Sequence, residues 1–199
     1  MSTLKKFSCF EGMILPSKNR IALANDIYLI HLSFYTFLAI YAEKFESEEH
    51  RQILKDELGI TKRGQSPAHG EIPHGDLWLL DLGVLTNEIS MLNNEHIEPF
   101  QRLCYKVSTE EQMGKAFVAA VESIADEYVR SIGEAIQNSI EYQNKKLWSV
   151  YIHCDPDVGI EVNHTQETNK FVDNEFFISF QKTVVQVFQS LSRHFIKAT

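Results

Sequence analysis

The stretch DPDVGIEVNH, residues 155–164, places Asp157, Glu161 and His164 at intervals of four and three. On an α-helix each interval is about one turn, so the three side chains share one face. Two carboxylates on that face repel each other by roughly 0.2–0.5 kcal/mol, and a cation between them reverses the sign. His164 adds a neutral nitrogen donor. Carboxylate with imidazole is a ligand set for iron or manganese rather than for a sulfur-bound zinc site. A solvated polar face carries the same residues without chemistry, so the segment gains meaning only from what the other helices offer.

Three further stretches offer suitable residues. In LKDELGI (54–60), Glu57 sits in the last turn of a helix that Gly59 stops. A carboxylate there faces the negative end of the helix dipole at a cost of roughly 0.3–1 kcal/mol, which a nearby cation would offset. In HGDLWLLDLG (74–83), His74 begins a helix whose Leu77, Trp78, Leu80 and Leu82 turn inward; His69, in the preceding loop, competes for the same role. In FVAAVESIADEY (117–128), Glu122 stands between Val121 and Ile124 among apolar neighbours. A buried carboxylate needs a partner or a metal. Ser123, Asp126 and Glu127 mark the alternative, a polar face that includes Glu122.

The elements that must position these residues read as helices. Asn19–Phe45 is free of Gly and Pro and apolar over most of its circumference, as in a central, buried helix. Ser47 caps a shorter helix that ends near Leu58, and 60–73 is a loop rich in Gly, Pro, Ser and charge. A helix is expected from His74 to about Asn94, interrupted near Gly83, and a short one after Glu95. Ser108 and Glu111 fit a capping box opening a long helix from about Thr109 to Gln143, with Phe117, Val121, Ile124, Tyr128 and Ile132 on its buried face. A short aromatic helix covers 145–154. Asp155 with Pro156 opens the next, and Asp173 the last, where Phe176, Phe177, Phe180, Val184, Val187, Phe188, Leu191 and Phe195 recur at helical spacing. No segment alternates with period two, so no sheet is expected. The expectation is one all-α domain over 1–199, a bundle of seven or eight helices with 1–18 as an N-terminal extension.

Composition narrows the function classes. Of 199 residues, 44% are apolar and 23% charged, which fits a globular chain rather than a disordered one. The formal charge of −8, with no basic run, argues against nucleic acid as a partner. Cys9, Cys104 and Cys154 are odd in number and widely spaced, as expected for reduced thiols. The N-terminus lacks a signal-peptide core. The most apolar stretch, 27–42, carries His31, Ser33 and Thr36 and is short for a bilayer. A cytoplasmic protein with no membrane partner is expected.

The order DELG, HGDLW, AAVES, and then an acidic helix with His after WSVYIH, resembles the haem-oxygenase-like di-metal oxidases and oxygenases. Within them it is most similar to the CADD-like branch, proteins like the chlamydial death-domain-associated protein. The resemblance covers roughly residues 20–195. It implies a haem-oxygenase-like helical bundle and six metal ligands: Glu57, His74, Glu122, Asp157, Glu161 and His164. It also implies two iron ions, or iron with manganese, that activate O2 to oxidise a small organic substrate. Homodimers through helix faces are frequent in the family. The family's last metal helix reads H-x-x-x-D-x-x-H; here Asp157 stands at the first histidine and Glu161 at the aspartate, while His153, four residues before Asp157, is a candidate substitute that lies ahead of Pro156. Other members of the fold hold haem on an early histidine, for which His31 is the candidate, or use a cysteine nucleophile, for which Cys104 and Cys154 are. A non-catalytic binding module with a degraded metal site is the alternative from a different class.

Overall fold

The computed structural model describes residues 6–60, 72–90, 94–154 and 175–198. Among them are seven α-helices: α1 (Arg20–Lys44), α2 (Glu48–Glu57), α3 (His74–Leu82), α4 (Glu98–Val107), α5 (Glu111–Gln137), α6 (Trp148–Cys154) and α7 (Glu175–Ser190). The molecule is an all-α bundle. Among the described residues it also holds a two-stranded antiparallel pair of two residues each, β1 (Met13–Ile14) and β2 (Ile196–Lys197), in register Met13 to Lys197.

Local chemistry accounts for most helix limits. Ser47 Oγ accepts the amide of His50 and caps α2. Gly59 and Gly83 follow α2 and α3 with φ of +66° and +64°, the left-handed conformation in which glycine ends helices. For α3 this stop is complete. Among the described residues up to Ser90 the helix does not resume, and a 3-10 turn, Thr86–Glu88, follows. The start of α5 also differs from expectation. Its N-cap is Glu110, with no side-chain cap bond, while Ser108 is buried and its hydroxyl donates back to the carbonyl of Tyr105. Ser108 therefore closes α4 instead of opening α5. The far end of α5 is Gln137, and 138–143 form turns.

Helix α1 packs against α2, α3 and α4; α5 packs against α6 and α7; α3 meets α6, and α4 meets α7. The periodic faces seen in the sequence are the core faces. Phe117, Val121, Ile124, Tyr128 and Ile132 of α5 are buried, as are Phe177, Phe180, Val184, Val187 and Phe188 of α7; Phe176 is exposed. Tyr128 stacks on Phe188 at 4.0 Å between ring centroids. Helix α1 is not buried all round: Ile21 and Ile40 face outward. With its preceding turn it is long and apolar enough to cross a membrane by length and composition, but 56% of its most apolar window is buried inside the protein.

The segment before α1 is no appendage. Phe7, Phe10 and Leu15 are buried, the Phe10 ring stands edge-on to Phe195 at 5.4 Å, and the amide of Leu15 donates to Ser139 Oγ at 2.7 Å. A second buried polar knot ties the C-terminus to α1: Asp26 accepts from Asn94 and Arg193 and sits 2.6 Å from His194 Nε2.

Candidate metal centre

All seven described helices contribute residues to the lining of one cavity. Its walls are largely apolar, with Ile30 and Phe34 of α1, Ile53 of α2 and Phe100 of α4 among them; its polar groups are His31, Asp56, Glu57, His74, Glu122 and His153. Three of the six expected ligands, Glu57, His74 and Glu122, are therefore brought to one place. Asp157, Glu161 and His164, and His69 with them, lie outside the described residues.

Glu57 is the centre of the arrangement. As the last residue of α2 it points off the helix end, with its side chain only 15% exposed. Its Oε2 lies 3.2 Å from His74 Nδ1 and 3.8 Å from His31 Nδ1. Burial alone would raise its pKa. The neighbouring His74 and His31 more than offset that and hold the carboxyl well below the usual range, so it is ionised. The dipole cost expected from sequence is met in this structure by imidazoles from two other helices.

His74 is the first residue of α3, buried to 5% exposure. A close approach of α3 to α1 places it. A Cβ at Gly75 would stand 3.2 Å from His31 Cβ, and the Gly75 amide donates to the Tyr35 hydroxyl at 2.8 Å. Glycine at this position lets the first turn of α3 lie directly on α1, so that His31 and His74 reach the same carboxylate. Burial, and next Glu57, push the Tyr35 hydroxyl well up, so it stays protonated beside the site.

His153 comes from α6 and packs its ring against His74, edge to face, at 4.6 Å. The helix is fixed at both ends. The Asp81 carboxylate accepts the amides of Trp148 and Ser149 at 2.8 Å each, and Arg130 Nη2 donates to the Cys154 carbonyl at 2.8 Å. Within α6, His153 Nδ1 is 2.7 Å from the carbonyl of Ser149. A carbonyl only accepts, so Nδ1 carries the proton. Burial, and then the proximity of His74, press His153 down to about 3, which leaves the ring neutral at pH 7. Its Nε2 therefore keeps a bare lone pair. A backbone carbonyl that fixes the tautomer in this way is the usual outer support of a metal-bound histidine.

Two buried atoms have no hydrogen-bond partner here, His31 Nε2 and His74 Nδ1. The second is unbonded although Glu57 Oε2 is 3.2 Å away, so the two atoms stand side by side rather than head-on. Orphaned buried nitrogens beside an ionised carboxylate fit a cation site, since each costs roughly 1–3 kcal/mol if nothing is bound to it. Among the described residues, however, no three His, Cys, Asp or Glu side chains already form a cage around a single point.

Sequence reasoning names two of these histidines but leaves them outside the six-ligand set. His31 lies among Ile30, Leu32 and Phe34 and reads as a core residue or a haem ligand. His153, four residues before Asp157, is a candidate substitute for the missing histidine but precedes Pro156; its ring packs on that of His74. Only the packing of α1 and α6 on α3 reveals either. No family model, no curated protein and no solved structure matches this chain.

Proposed function

We propose that the chain is a non-haem di-iron, or iron–manganese, oxidase or oxygenase on a haem-oxygenase-like bundle, using O2 to oxidise a small organic substrate. One observation carries the reading: a buried, ionised Glu57 with His31, His74 and His153 around it, on a cavity that Glu122 also lines. Glu57, His74 and Glu122 would hold metal, with Asp157, Glu161 and His164 as the ligands drawn from outside the described residues. His153 joins them as a candidate. In the family's H-x-x-x-D-x-x-H pattern it takes the first histidine and puts Asp157 on the aspartate, with Ile160 at the last position. Bound iron would supply O2 activation at open coordination positions. The protein's own part is to keep Glu57 ionised, to present neutral His153 through Nε2, and to shield the site with the apolar walls of α1, α4 and α5.

The competing reading is a binding module whose metal site is degraded. It is favoured by the absence, among the described residues, of three donors caged round one point. Anaerobic loading with ferrous iron, metal analysis, and absorption spectroscopy on adding O2 decide between them. An oxidase takes up iron and develops new absorption with O2, and Glu57→Ala and Glu122→Ala each lower the uptake. No uptake, or uptake indifferent to both substitutions, would leave the binding module.

A further inference from the structure

We infer that His31 is a metal ligand, and that with Glu57, His74 and His153 it makes a cation position supplied wholly by α1, α2, α3 and α6. This rests on the metal-centre reading of the cavity, but it is a narrower statement: one ion held without any residue from 155–174.

His31 is 93% buried on an apolar stretch of α1, where a phenylalanine or leucine would pack without cost. Its Nε2 has no partner, and its Nδ1 is turned toward Glu57. The Glu57–His74 distance has the scale of a coordination sphere, and His31 lies a few tenths of an ångström outside it. Ligand atoms at 2.0–2.2 Å from one ion lie roughly 3.0–3.5 Å from each other. Glu57 Oε2 stands 3.2 Å from His74 Nδ1 and 3.8 Å from His31 Nδ1. His153, its ring against His74, brings a third imidazole with a defined lone pair. All four side chains line the same cavity. Three nitrogens and one carboxylate suit a divalent first-row ion such as Fe2+, Mn2+, Co2+ or Zn2+.

The test uses Co2+ as the probe, in the full chain, with visible absorption and affinity as readouts. The triple variant Asp157→Ala, Glu161→Ala, His164→Ala should still bind one Co2+. His31→Gln added to it should weaken that binding by at least roughly tenfold, with far-UV circular dichroism unchanged. In case His31→Gln does not fold, proton NMR of the Co2+-loaded triple variant reads the same point, since three imidazole N–H signals should be paramagnetically shifted. Failure of the triple variant to bind Co2+, equal affinity with and without His31, or only two shifted imidazoles would overturn the inference. In any of those cases iron uptake and O2 reactivity of the wild type still stand or fall separately. Absence of Co2+ and iron binding in the wild type would remove both readings.

Discussion

His50 shows at the level of one residue how this core treats imidazole. Its ring lies 4.2 Å from that of Tyr41, Ser47 Oγ is 2.8 Å from its Nδ1, and its Nε2 is buried without a partner. Burial, then the charge of Lys115, push it down to about 4 from the ordinary 6.5. Above pH 6.5 the ring is neutral in both the folded and unfolded chain. Between 6.5 and about 4 the unfolded chain takes a proton that the folded one refuses, so stability falls as the pH falls. The loss amounts to about 1–3 kcal/mol. Urea unfolding at pH 7.5 and pH 4.5 should show this extra loss in the wild type and not in His50→Gln; identical pH dependence in the two would contradict it. The same residue scale explains what the sequence conceals. Glu57, His74 and Glu122 are legible because each breaks a local pattern: an acid at a helix end, a histidine at a helix start, an acid in an apolar run. His31 interrupts an apolar run much as Glu122 does, but it and His153 take on meaning only from which face of α1 or α6 meets α3.

At the scale of elements, the position of α6 is the sensitive variable, because it carries His153. A Cβ at Gly133 of α5 would fall 2.4 Å from Val150 Cγ2, one turn before His153 on α6. Gly133→Ala gains up to about 1 kcal/mol of helix propensity at an ordinary site. Here the overpacking costs about 1–3 kcal/mol, so the net change is destabilising. Val150→Ala in the same chain removes the obstructing methyls and should recover most of the loss. Unfolding free energies of the two single variants and the double variant test this; a Gly133→Ala chain as stable as wild type would mean that α6 moves freely off α5. Helices of this kind were largely readable from sequence, because apolar spacing of three and four is a local signal and the faces of α5 and α7 obey it. Their ends were less so. Gly83 stops α3 outright, where apolar content alone favours continuation, and Ser108 bonds back into α4 although its spacing to Glu111 imitates a capping box.

At the scale of the molecule, the residues before α1 belong to the bundle. In the sequence, 6–18 show no helical period and read as an extension; their burial comes entirely from contacts with distant segments. Phe7 and Phe10 enter the core between α5 and the C-terminal residues, Leu15 is buried with them, and the amide of Ala198 donates to the Gly12 carbonyl at 2.9 Å. Burying each of these three apolar side chains contributes about 1.5–3 kcal/mol. Their sum, about 5–9 kcal/mol, is comparable to the whole stability of an ordinary domain. Deleting residues 1–15 should therefore abolish cooperative unfolding, while Phe10→Ala alone, at about 3–5 kcal/mol, should lower the melting temperature and keep the transition. Thermal denaturation followed by circular dichroism separates the two. A truncated chain melting cooperatively near the wild-type temperature would return 6–18 to the status of an appendage. The deletion also bears on the candidate site, since Phe7 packs on Tyr128 and Tyr128 lines its cavity. Loss of the N-terminal segment should therefore lower Co2+ affinity even in conditions where the helices persist.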